Sequence, residues 1–252
     1  MQDENTQPTT SPETTSASAS KLSAPQAILL GALIIGVAVI IAFGGSGEID
    51  SKAKFSDDTF ALGENQVQET PTLTFSPDDQ NEHVRGSRDA DVFLVEYSDI
   101  DCPFCRRFHP VMQEIMSMYG KDVAWVYRQF PLTSLHPNAY EKAKATECVA
   151  QIAGNDAFWT YLDTLFGTDV SPEQLSATAV AQGVDKAAFD ACMASDEIEA
   201  KNEEDIASGK KAGVQGTPFT AVINVKTKSQ DTLPGALPLE QATGIIDEIL
   251  AK

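Results

Sequence analysis

Basic residues are scarce in this chain of 252 residues: 18 Lys and Arg stand against 37 Asp and Glu, giving a net charge of −19. Phosphate backbones are held by clustered Lys and Arg, so nucleic acid is not an expected partner. Cysteine is scarcer still. Four in a chain this long exclude a disulfide-dense scaffold in which bridges stand in for a core. Histidine occurs three times, as His83, His109 and His136, without ligand-like spacing, and only one CxxC is present. Zinc is therefore disfavoured, and neither a metal nor another cofactor is expected. No internal repeat is evident.

The averages conceal unlike pieces. Residues 1–48 hold one basic residue, Lys21, and four acidic ones; the other 17 basic and 33 acidic residues follow, so 17 − 33 = −16 falls beyond residue 48. Residues 1–24 begin with Ser, Thr, Pro, Gln and Glu and almost no large apolar side chain, and read as a disordered tail. Residues 25–44 contain AILLGALIIGVAVIIAF, Ala27 to Phe43, with no charge between Lys21 and Glu48. Seventeen residues make a helix of about 25 Å, and the uncharged flanks extend it to hydrocarbon thickness. A buried core helix fits poorly, because the run is apolar all round between polar segments. A cleaved signal peptide lacks its basic n-region and a good small-x-small site. A single transmembrane anchor in contact with membrane lipid is the expected reading, with orientation weakly encoded by Lys21 before it and Lys52 and Lys54 after it. Residues 45–69 read as a flexible linker with a span of about 28 Å.

A mixed α/β domain is expected over residues 70–252. Thr72 to Phe75 reads as a short first strand, and Val92 to Tyr97 as a central one. Pro103 to Tyr119 reads as a helix with Pro at a first-turn position, and Val123 to Phe130 as a strand parallel to its predecessor. Helical periodicity then covers His136 to Ala153, Asp156 to Phe166, Ser171 to Ala181, Asp185 to Ala194 and Glu197 to Ala212. Strands return at Phe219 to Val225 and Asp231 to Leu233, and Leu239 to Leu250 closes the chain as an amphipathic helix.

The chemistry lies in Glu96-Tyr97-Ser98-Asp99-Ile100-Asp101-Cys102-Pro103-Phe104-Cys105. A strand feeds a turn, Cys102 stands at the helix mouth, and Cys105 lies one turn inside on the same face. Unpaired N–H groups and the positive helix end favour a Cys102 thiolate, the attacking species in disulfide exchange. A purely structural CxxC bridge would close too few residues to remove much chain entropy. Downstream, Gly216-Thr217-Pro218-Phe219 places a Pro that cannot donate at a strand start, marking an edge, a turn or a cis peptide.

His83-Val84-Arg85-Gly86, Leu94-Val95-Glu96-Tyr97-Ser98-Asp99, Cys102-Pro103-Phe104-Cys105-Arg106-Arg107-Phe108 and Gly213-Val214-Gln215-Gly216-Thr217-Pro218 together resemble the DsbA-like branch of the thioredoxin superfamily. The resemblance covers roughly residues 70–252. It implies a thioredoxin fold with an inserted helical subdomain at about 136–212. It also implies an exposed nucleophile at Cys102, a resolving thiol at Cys105, and a cis-proline loop at Thr217-Pro218. With Pro103 and Phe104, that loop would meet extended substrate. Glu96 matches the branch's buried acid; its alternative is a strand-edge carboxylate in solvent. Phe104 departs from the best-known DsbA motif, which has His there and so a polar ring near the thiolate; oxidation by this chain is expected to be weaker. Cys148 and Cys192 are either isolated thiols or, as in some DsbA-like proteins, a structural bridge between inserted helices. A loop of about 45 residues makes such a bridge worth roughly 4 kcal/mol. Arg106, Arg107 and His109 read either as tuning the site or as a solvated helix face. Trp125, Trp159, Phe158 and Phe166 read as core without chemistry.

The function implied is an extracytoplasmic thiol-disulfide oxidoreductase of a bacterial cell membrane. It would oxidise reduced or unfolded secreted proteins and be reoxidised by a quinone-linked membrane partner, DsbB-like or vitamin-K-epoxide-reductase-like. The alternatives are a disulfide reductase or isomerase and a redox-silent peptide-binding chaperone.

Overall fold

The computed structural model describes residues 73–252. The tail, the candidate anchor at Ala27 to Phe43 and the linker lie outside the described residues. No described helix is long and apolar enough to cross a membrane.

Strands β1 (His83–Arg85), β2 (Val92–Ser98), β3 (Val123–Gln129), β4 (Phe219–Asn224) and β5 (Gln230–Pro234) form one sheet in the order β1-β3-β2-β4-β5. Only β2 and β3 run parallel, joined by helix α1 (Pro103–Tyr119); the other pairs are antiparallel. Both β2 and β3 are buried along their whole length, as expected of central strands with cover on both faces. Between β3 and β4 stand five helices: α2 (Ala139–Ala153), α3 (Asn155–Gly167), α4 (Leu175–Ala181), α5 (Lys186–Met193) and α6 (Glu197–Lys211). The last helix, α7 (Leu239–Leu250), occupies the bounds its periodicity predicts.

The pleat divides the core in two. Val92, Leu94, Trp125, Tyr127 and Val222 face a layer that includes Cys105, Phe108, Met112 and Ile115 of α1 and Ala242, Ile246 and Ile249 of α7. These helical residues recur at the three- and four-residue spacing of one apolar stripe. Phe93, Val95, Tyr97, Ala124 and Val126 face the opposite layer. There α6 approaches so closely that a Cβ on Gly209 would come within 2.7 Å of the Phe130 ring, and only glycine fits.

Two expectations need correction. Leu73 to Phe75 is not a strand: the Gln230 side chain takes both backbone groups of Leu73, at 3.0 and 3.1 Å, in place of a ladder. The edge strand is His83–Arg85, three residues inside a segment whose alternation is too short to read. Helix α2 begins at Ala139 rather than His136, because Pro137 disfavours helical backbone at His136 and the imidazole is held by Asp99 at 2.8 Å.

Candidate active site

Cys102 is the N-cap of α1, with extended backbone (φ −69°, ψ 123°), and Pro103 fills the first helical position, where a missing N–H costs nothing. Both cysteines are free thiols. Cys105 is fully buried; Cys102 is only 4% exposed, so it is less open than the resemblance implies. The reason is the loop before β4, which packs across the helix mouth. The Cys102 sulfur lies 3.5 Å from the Thr217 carbonyl oxygen, and the Thr217-Pro218 peptide is cis. Pro103 and Phe104 are exposed, Phe104 by 53%, and Arg107 lies 4.8 Å over the Phe104 ring as a cation–π pair.

The two thiols are driven apart. The Cys102 pKa is lowered to about 5, first by the Cys105 thiol donating to the sulfur, against the cost of burial. The free N–H groups of Cys105 and Phe104 and the Thr217 hydroxyl add to the effect, as expected at a helix N-terminus. Cys105 goes the other way: burial raises it, with the Cys102 sulfur and the Glu96 carboxylate in support. One sulfur is therefore an anion at neutral pH and its neighbour holds its proton.

Glu96 lies inside, 1% exposed, six residues before Cys102 on β2. Burial pushes its pKa up to about 7, opposed by Ser98 and by Trp125, whose Nε1–H donates to the carboxylate at 2.9 Å. The strand-edge alternative is thereby corrected, and so is the assignment of Trp125 to plain packing. Trp159, Phe158 and Phe166 surround Tyr127 edge-on.

Of the residues after the motif, Arg107 is exposed, while Arg106 and His109 turn to the protein. Arg106 donates to the carbonyls of Leu165, Phe166 and Thr168, covering the C-terminal end of α3. His109 is buried, stacked on Phe166 and 2.7 Å from Asp163, which also pairs with Arg85 of β1. Both residues fasten α1 to the insertion. Cys148 of α2 and Cys192 of α5 are joined by a disulfide, which pins two inserted helices together.

Sequence reasoning passed over Asp99. Its buried carboxylate accepts from the N–H groups of Asp101 and Leu132, each at 2.8 Å, besides His136, and so fixes the turn that delivers Cys102. The turn is also tied to α2 by the Asp101–Lys142 ion pair. The only signal in the sequence was an Asp at a strand end, an ordinary place for a side chain that bonds nearby backbone.

A family model described as "Thioredoxin" matches residues 78–247. Among curated proteins, the chain is 39% identical over 115 residues to "Na(+)/H(+) antiporter NhaA 1" of Mycolicibacterium gilvum, a stretch covering 45% of this chain and 18% of the antiporter. The chain thus spans about a fifth of the length of the curated relatives it matches, and transport is what the name says of those proteins. Among solved structures it is similar to Pseudomonas aeruginosa DsbA2, at 24% identity and TM-score 0.57, covering 66% of this chain and 93% of that one. It is also similar to Wolbachia pipientis alpha-DsbA1, at 20% identity and TM-score 0.61, covering 71% and 94%. The structures share the fold, and the family match spans both cysteines, Glu96 and the Thr217-Pro218 loop. The chain belongs to the thioredoxin family.

Proposed function

We propose that this protein oxidises cysteine pairs of secreted or membrane proteins outside the cytoplasm. A substrate thiolate attacks Cys102 Sγ of the Cys102–Cys105 disulfide, and Cys105 leaves with the bonding electrons and takes a proton. The second substrate thiolate then attacks the substrate sulfur of the mixed disulfide, releasing Cys102 as thiolate. Two electrons pass from the substrate dithiol to the protein. Glu96 serves as proton donor to Cys105 and as acceptor in the reverse step.

The observation that carries this reading is the opposition of the two sulfurs: a Cys102 held down to about 5 is the better leaving group, so the reduced form is favoured and the disulfide is reactive. Exposed Phe104 and the backbone beside Pro218 fit a substrate segment laid across the helix mouth. The Cys148–Cys192 disulfide suits an oxidising compartment, and the apolar run from Ala27 to Phe43 suits a single-pass membrane anchor. A membrane quinone-linked reoxidase would return the dithiol to the disulfide.

The test is assisted oxidation of a reduced, unfolded secreted protein. Cys102→Ser is expected to abolish it; oxidation surviving that change would refute the reading and favour a redox-silent peptide binder. A second reading, net reduction or isomerisation, draws on Phe104, whose apolar ring does less for a thiolate than a polar one. Equilibration with glutathione separates the two: a potential toward about −120 mV marks an oxidant, and one toward about −270 mV a reductant.

A further inference from the structure

Glu96 has company that the reaction as described does not use. It pairs across the sheet with Tyr127 on β3 and with Thr220 on β4, and paired residues share a face. Ser98, two positions along β2, points the same way. The hydroxyls of Ser98, Tyr127 and Thr220 are all buried without a hydrogen-bond partner among the described residues. One such group is uncommon, since an unmet buried hydroxyl costs on the order of 1–3 kcal/mol. Three on the same face as one buried carboxyl call for a function.

Ser98 is the central one. Its hydroxyl is near enough to Glu96, Cys105 and Tyr127 to lower the pKa of each, yet it touches none of them at bonding distance. Tyr127 stays a phenol, because burial, with Glu96, Cys105 and Asp99 nearby, raises it well above its ordinary value. Its ring is packed edge-on by Phe158, Trp159 and Phe166 of α3.

We propose that Ser98, oriented by the Tyr127 phenol, relays the proton between the Glu96 carboxyl and the Cys105 sulfur. The proposal rests on the reading of Glu96 as proton donor. When substrate thiolate breaks the Cys102–Cys105 bond, Cys105 leaves with the electron pair and takes the Ser98 proton. Glu96 reprotonates Ser98 and is left as a carboxylate held by Trp125. A phenol donating to the Ser98 oxygen turns the serine's own hydrogen toward the sulfur; a hydroxyl both donates and accepts, so one residue serves both partners. Running backward, the same path takes the proton from Cys105 before it attacks a mixed disulfide.

The experiment is the rate of oxidation of a dithiol peptide by the full-length oxidised protein from pH 5 to 9, for the parent, Ser98→Ala, Ser98→Thr, Tyr127→Phe and Glu96→Gln. Ser98→Ala and Tyr127→Phe are expected to slow the reaction roughly tenfold or more, at or below the low end of what a placed proton-transfer group contributes. They are expected to flatten the pH profile around 7 while leaving the Cys102 thiolate titration unchanged, and Ser98→Thr to restore the rate. Both truncations remove unpartnered hydroxyls, so melting temperatures should not fall. If Glu96→Gln is slow while Ser98→Ala keeps the parent rate and profile, or if Ser98→Thr is as slow as Ser98→Ala, the relay is wrong and the role of Glu96 stands. If Glu96→Gln keeps the parent rate, the acid reading fails and the relay with it.

Discussion

Replacing both Cys148 and Cys192 by Ala removes a covalent tie between α2 and α5 that closes 44 residues of sequence. In the chain-entropy description, a loop of that length restricts the unfolded chain by about 4 kcal/mol at room temperature. Both residues are buried in the larger core layer, so the two missing sulfurs also leave small voids, which adds to the loss. The expected destabilisation is about 4–5 kcal/mol, a large share of the stability of an ordinary domain. The assay is equilibrium guanidinium unfolding followed by far-ultraviolet circular dichroism. It is run in a Cys102→Ser, Cys105→Ser background so that the reactive pair cannot exchange with the bridge. With a slope of about 4 kcal/mol per molar, the midpoint should fall by roughly 1 M. A loss below about 1 kcal/mol at unchanged slope would refute the reasoning, because it would mean the unfolded chain already keeps α2 and α5 together without the bridge.

Two further predictions concern titration. Thiolate absorbance of the reduced protein should titrate near pH 5 through Cys102; the depressed value stabilises the reduced form above that pH, and the gain is lost as pH falls through about 5. A midpoint near 8.5, an ordinary cysteine value, would contradict it. Glu96 has the opposite sign: between about 4.3, its value in an unfolded chain, and about 7, the folded protein keeps a proton that the unfolded chain has lost. Stability of the reduced protein should therefore fall as pH rises through that window, by on the order of 3 kcal/mol, and Glu96→Gln should abolish the fall. Parallel stability curves for the two proteins would refute this.

What could be read from the sequence follows the range of the forces involved. The strands β2 and β3, helix α1 and helix α7 are set by local alternation and caps, and their bounds were legible within a residue or so. The reactive pair was legible because a helix mouth acts on its own residue. Long-range pairing was not. Leu73 is satisfied by a side chain 157 positions away, and Arg106 by carbonyls about 60 positions on, so neither the missing strand nor the role of Arg106 had a local trace. Trp125 and Tyr127 alternate like any core residues; only the register that sets Tyr127 opposite Glu96, and the bond from Trp125, give them polar work. Asp99 was hidden for the same reason, since two of its partners come from the far side of β3.

The fastening of α1 to α3 bears on modularity. An insertion between two strands looks like a detachable accessory, open to exchange among relatives or to trimming by an engineer. Here it cannot be lifted out cleanly: without α3, the Arg106 guanidinium would lose its three carbonyls and the His109 and Arg85 side chains would lose Asp163. A chimera that keeps this redox helix must import a donor insertion offering a free carbonyl turn and a carboxylate in register. Otherwise positions 85, 106 and 109 must be recoded together with it.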